Sequence, residues 1–160
     1  MTLAADAVEL TKESPESPDA LACVAAYFHE IGLRLEGGFD SSVGPSPSPA
    51  EMAPPTGAFY VARLAGAPVG CGGLKTLEPG IGEVKRVWTS PKARGRGVAR
   101  AIMAALEAQA RAIGLHAVRL DTNRALTEAR AFYDGLGYRS IARYNDNPYA
   151  DFWFEKVLVT

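Results

Sequence analysis

The chain has few of the residues that announce specialised chemistry. Its 160 residues include two cysteines and two histidines. Cys23 and Cys71 sit in apolar surroundings, and their spacing fits neither a disulfide framework nor a zinc site. Both read as buried thiols in a reducing compartment. No His/Cys/Asp cluster has ligand spacing, so no metal is expected. A dominant charge is also missing. The formal net charge is −1, which excludes a protein that coats nucleic acid through bulk charge. No apolar run is long enough to span a bilayer, and the first fifteen residues lack the basic start of a secretory leader. These absences set the expectation of a cytoplasmic protein with no membrane and no nucleic-acid partner.

What is present suits one domain with a proper core: 48% of residues are apolar and 22% charged. Residues 7–10 read as a first strand. Residues 17–36 read as a helix, with Ser17 as N-cap, Pro18 at the first position, and Leu21, Val24, Phe28, Ile31 and Leu35 on one face. Residues 37–57 are rich in Pro, Ser and Gly and read as a mobile surface loop. A domain linker is excluded, because the segment before it is too short to fold alone. Residues 58–77 form two β-rich runs around a turn at 65–68. A strand over 83–90 follows, then a helix over 98–113 with Val98, Ile102, Leu106 and Ile113 on one side and Gly114 as the stop. A strand over 116–122, a helix over 125–137 and two strands within 138–144 and 151–159 complete the chain. There are no internal repeats. The order β-α-loop-β-β-β-α-β-α-β-β predicts an α/β (α+β) fold, with a mixed central sheet of about six to seven strands and helices on both faces.

The stretch RVWTSPKARGRGVARAI, residues 86–102, puts two glycines and several arginines in a turn at a helix start. Gly95 and Gly97 allow close approach to the backbone. The free N–H groups and positive dipole end of the helix favour an anion. A P-loop is excluded, since no G-x-x-x-x-G-K-S/T occurs. The dinucleotide fingerprint fails as well. Arg100 occupies its third small position, and most of the sheet precedes the turn, where that fold opens with it. Asp121 at a later strand end only adds to the lookalike.

The remaining pattern is Arg94-x-x-Gly97-x-Ala99 between a strand and a helix. It resembles the coenzyme A pyrophosphate loop of the GNAT family of N-acetyltransferases, whose signature is Gln/Arg-x-x-Gly-x-Gly/Ala. EVKRVWTSP before the loop resembles that family's fourth strand. DTN followed by A..FY...GY, residues 121–138, resembles its second cofactor motif. The likeness covers nearly the whole chain, and it implies transfer of an acetyl group from acetyl-CoA to an amine.

The resemblance assigns roles residue by residue. Backbone N–H groups of Arg94, Gly95, Arg96, Gly97, Val98 and Ala99 would form a nest for the pyrophosphate. The Arg94 and Arg96 side chains would add charge or stay as solvated turn residues. The pantetheine arm would lie between two splayed parallel strands, beside Val87, Trp88 and Thr89 on one side and residues 120–123 on the other. The main chain of Val87 and Thr89 would pair with it, and the Val87 N–H would polarise the thioester carbonyl, whether or not Val87 also packs in the core. Trp88, opposite Val87 by alternation, reads as packing. Tyr133 would be the general acid toward the thiolate, or else a half-buried aromatic. Asn123 would bind the arm or cap the next helix. Glu83, expected on one face with Lys85 and Val87, would be the general base or a member of an ion pair with Lys85 or Arg86.

The acceptor is less legible. Residues 144–153 (YNDNPYADFW) read either as a turn with local Asn and Asp bonds or as a polar wall of the acceptor pocket, with the 37–57 loop as its facing lid. His29 and Glu36 near that loop read as surface groups. The expected partner is a small-molecule or peptide amine. Oligomeric state is open, a homodimer among the options. The competing functions are a non-catalytic acyl-CoA-binding sensor, transfer of a longer acyl group, and transfer to a hydroxyl.

Overall fold

The computed structural model describes residues 7–44 and 46–158. A seven-stranded mixed sheet runs in the order β1-β2-β3-β4-β5-β7-β6. The strands are β1 (Val8–Lys12), β2 (Ala58–Leu64), β3 (Ala67–Glu78), β4 (Ile81–Thr89), β5 (Ala117–Thr122), β6 (Arg139–Ile141) and β7 (Phe152–Val157). The helices among the described residues are α1 (Pro18–Arg34), α2 (Val98–Ala112) and α3 (Ala129–Gly135). Every neighbouring pair is antiparallel except β4 and β5.

The sheet buries both faces. On one, α2 lays Val98, Ile102 and Leu106 over Ala62, Leu74, Val84 and Val118. On the other, Ala20, Cys23 and Val24 of α1 meet Phe59, Val61 and Cys71. The glycines of β3 let α2 come this close: a Cβ on Gly72 would stand 2.6 Å from Ile102 Cγ2. Ser17 caps α1 by accepting from Ala20 N, with Pro18 in the first turn, as its sequence predicts. Leu21 is a correction. It is 54% exposed, because α1 approaches the sheet through the small Ala20 and turns Leu21 aside.

The segment between α1 and β2 is not featureless. Pro49–Met52 forms a 3-10 turn whose Glu51 accepts from the Ser48 N–H, and Met52 is completely buried beside Phe59. The predicted helix over 125–137 is also shortened. Asn123 Oδ1 accepts from Ala125 N and the Asn123 carbonyl from Leu126 N, so this side-chain-driven turn occupies the chain up to Ala129.

One irregularity positions everything that follows. Lys85 pairs with Gly73 and Trp88 with Cys71, so Arg86 and Val87 together oppose Gly72. This is a β-bulge, with Arg86 at a φ of 59°. The bulge overturns the expectation that Glu83, Lys85 and Val87 share a face. Val87 packs in the α2-side core, while Glu83 contacts Tyr144 on the opposite side. Beyond the bulge Trp88 does lie opposite Val87, against the α1-side cluster.

Candidate active site

β4 and β5 pair only at Ile81–Ala117, Gly82–Val118 and Glu83–Arg119. Past that point the parallel strands part, and a cleft of about 670 Å³ opens between them. Ser90 N donates to the Val69 carbonyl of β3. N–H directions alternate along a strand, so those of Thr89 and Val87 point away from β3, into the gap. Thr89 Oγ1 is buried and, among the described residues, without a hydrogen-bond partner. The cleft therefore carries an unpaired strand edge and an unsatisfied hydroxyl.

Its mouth is the glycine turn. Gly95 (φ 80°) and Gly97 (φ 78°) both adopt the left-handed conformation, and a Cβ on either would meet nothing within 4 Å. Gly97 is the N-cap of α2, which has neither a side-chain cap nor an acidic residue in its first turn. Its leading N–H groups face a space bounded by Gly95, Gly97, Val98 and Ala99, open to an anion. Arg94 does not point there. It donates to the Thr89 carbonyl and pairs with Glu30 of α1. Burial alone would raise the Glu30 carboxyl, but hydrogen bonds from Arg94 and Trp88 overcome it and hold the group below its ordinary value. Arg96 is not among the residues lining the cleft, whereas Arg100, in the first turn of α2, is.

Tyr133 lines the cleft together with Val87 and Leu120. Edge contacts to Phe132 and Tyr138, at 5.1 and 5.7 Å between ring centres, fix its ring. Burial, aided by Tyr27 and Asp121, pushes its phenol well up, so it stays protonated at neutral pH. Trp88 lines the cleft too, but its Nε1 donates to Glu30. Asn123 lines the same wall with both side-chain groups engaged by protein, Nδ2 on the Tyr149 carbonyl and Oδ1 on Ala125 N. Its side chain thus serves as the turn cap, and its carbonyl is taken by Leu126 N.

Across the gap, the β6–β7 loop builds a polar wall. Tyr144 donates to Glu83 Oε2 at 2.6 Å. Asn145 Nδ2 bridges Glu83 Oε2 (3.2 Å) and Asp121 Oδ2 (2.6 Å), and Asn147 donates to Asp121 Oδ1 at 3.1 Å. Glu83 is 4% exposed, has Lys85 at 3.6 Å, and does not line the cleft. Three carboxylates do line it. Glu30 and Glu128 are paired with Arg94 and Arg34, while Asp121 is held, among the described residues, by asparagine amides alone. The 37–57 segment faces this wall: Phe39 stacks 4.8 Å from Tyr149, whose hydroxyl accepts from Asp40 N.

The geometry thus brings together Val87, Thr89, Tyr133, Gly95 and Gly97, and sets Glu83 behind the wall. Sequence reasoning placed Asp121 in the 120–123 stretch beside the arm but gave its carboxylate no role, and it missed Arg86, Arg100 and Tyr27 as cleft residues. Asp121 was visible as a strand-end acid, and Arg100 as the next turn after the glycines. Arg86 and Tyr27 carried no signal, because a bulge and a helix orientation decide where they point.

Comparison with known proteins gives the same picture. The model of the acetyltransferase (GNAT) family matches residues 28–138. An IAA acetyltransferase of Azospirillum brasilense is 40% identical over 88 residues, 54% of this chain and 58% of its own. The chain spans about half the length of the curated relatives it matches. A Klebsiella pneumoniae protein described as an acyl-CoA N-acyltransferase is 31% identical, with 96% of this chain and 99% of that one covered at a TM-score of 0.73. A GNAT-family acetyltransferase of Staphylococcus aureus superposes at a TM-score of 0.81 over 96% of this chain and 100% of that one. At 14% identity it shows the fold alone.

Proposed function

This chain belongs to the GNAT acetyltransferase family, and from that premise we propose that it moves an acetyl group from acetyl-CoA directly to a primary amine. The observation that carries the reading is the gap between β4 and β5, which has an unpaired strand edge inside and a glycine-lined helix start at its mouth. Acetyl-CoA fits these residues. It offers a pyrophosphate for the turn, amide groups for the strand edge, and a thioester whose C–S bond is exchanged for a C–N bond.

In this reading the N–H groups of residues 94–99 hold the pyrophosphate, and Arg100 adds charge. The main chain of Val87 and Thr89 orders the arm, and Thr89 Oγ1 finds its missing partner there. The Val87 N–H stabilises negative charge developing on the thioester oxygen. Tyr133, kept protonated by burial, donates to the sulfur as it leaves. Asp121 holds the incoming ammonium and takes its proton directly or through water, while Glu83 positions Asp121 through Asn145. The test is acetyl-CoA titration by calorimetry, followed by release of free coenzyme A thiol with amines present. Binding together with amine-dependent release supports the reading. Tight binding with no amine-dependent release would make the protein a sensor.

A further inference from the structure

Arg86 has no part in the chemistry above. It sits on the β4 bulge at a φ of 59°, a region that residues with side chains rarely occupy. That backbone swings its guanidinium to the α1 side, 5.3 Å from the centre of the Phe28 ring. A guanidinium has five N–H donors. Among the described residues it donates to the Ser46 hydroxyl, at 3.1 Å. Arg34, Arg63, Arg94 and Arg119 each pair with a carboxylate, but no described carboxylate pairs with Arg86. The acids nearby are already engaged, Glu83 by Tyr144 and Asn145 and Asp121 by Asn145 and Asn147. Burial pushes the pKa of Arg86 down from its ordinary value, as expected of a cation that has lost water without gaining an anion.

Arg86 lines the main cleft and also a side pocket of about 100 Å³, which it shares with Asp121, Lys85, Phe28, Phe39 and Tyr149. Cation and carboxylate thus stand on one small pocket walled by aromatic rings, beside Val87 where the thioester would lie. An amino acid carries the complementary pair, an ammonium and a carboxylate on adjoining atoms. A polyamine would bring further positive charge against Arg86 and Lys85.

We propose that Arg86 binds the carboxylate of the acceptor, and that the acceptor is a free amino acid whose side chain rests on Phe28, Phe39 and Tyr149. The inference rests on the acetyl-transfer reading. The ammonium first gives one proton to Asp121, which passes it to solvent. The amino nitrogen then bonds to the acetyl carbon as the C–S bond breaks. Sulfur leaves with its electron pair and takes a proton from Tyr133. The nitrogen, cationic after attack, loses its second proton to solvent, from which Tyr133 is reprotonated.

The test compares matched pairs at saturating acetyl-CoA: phenylalanine with phenethylamine, and leucine with isoamylamine. The wild type should prefer the amino acid in kcat/KM by about 10–100-fold, the range for a charge-assisted hydrogen bond. In Arg86→Met that preference should collapse toward unity through KM, with acetyl-CoA affinity retained, and Arg86→Lys should restore part of it. Equal use of both members of a pair by the wild type, or equal losses on both in Arg86→Met, would overturn the proposal. Calorimetric titration of the coenzyme A-loaded protein with phenylalanine separates the two readings. If no amine is acetylated, the transferase reading fails, yet phenylalanine binding that disappears in Arg86→Met still supports the carboxylate site. Absent or Arg86-independent binding overturns it. If Arg86→Met does not fold, the wild-type pairs alone decide.

Discussion

Tyr144 donates a 2.6 Å hydrogen bond to Glu83, and this bond belongs to the network that keeps the carboxylate behind the cleft wall. In the proposed reaction, the carboxylate that meets the amine is then Asp121. Asp121→Asn should lower kcat/KM for the amine by about 10²-fold, at the low end for a positioned base. Glu83→Gln keeps an oxygen for Tyr144 and should cost less than about threefold, a residual effect of positioning. Steady-state kinetics on the same acceptor checks both. The opposite ranking would return Glu83 to the role of base that the sequence resemblance implies.

Removal of the Tyr133 hydroxyl alone should slow the chemical step. Tyr133→Phe keeps the ring contacts and should reduce the single-turnover rate by roughly 10²–10⁴-fold, with little change in acetyl-CoA affinity. Wild-type single-turnover kinetics in the variant would leave Tyr133 as a packing residue and solvent as the proton donor.

Gly97 carries two constraints, a φ of 78° and open space where a phosphate would come. Gly97→Val should cost about 1–2 kcal/mol of stability from the left-handed backbone. It should also weaken acetyl-CoA binding at least about tenfold, or ~1.4 kcal/mol. Calorimetry on the folded variant separates the two effects, and unchanged affinity would remove the turn from the binding site.

Arg34 of α1 and Glu128 before α3 pair at 2.7 Å across the cleft. The Arg34 hydrogen bonds hold the Glu128 carboxyl down from 4.5 to about 2. A depressed carboxyl contributes stability that is present above its unfolded value and is lost as pH falls through the folded one. The window therefore runs from about pH 4.5 down to about pH 2. Glu128→Gln should flatten the acid limb of the stability curve there. The change should be small because the group is largely exposed. Urea titrations across that range measure it, and an unaltered slope would show that the pair contributes nothing.

The glycine turn was legible because its residues announce both backbone freedom and charge, and the succession of elements along the chain followed from apolar periodicity and turn residues. Positions near the bulge were not legible. Two-residue alternation carried Val87 to the face of Glu83, and one extra residue at Arg86 reversed it. Nothing in the sequence marks that insertion, because Arg86 is not a glycine. The loop at 37–57 was misread for a similar reason. Its composition is that of a mobile segment, yet a single Met52 finds a place in the α1-side core. Leu21 shows the converse, an apolar residue at the right spacing that the close approach at Ala20 leaves in solvent.

The measurement closest to the central claim is release of free coenzyme A thiol from acetyl-CoA, followed with and without a panel of amines that includes amino acids. Acetyl transfer predicts release that depends on the amine, saturates with it, and is matched mole for mole by N-acetylated product identified by mass spectrometry. Release no faster with any amine than with buffer, from a protein that binds acetyl-CoA, would contradict it.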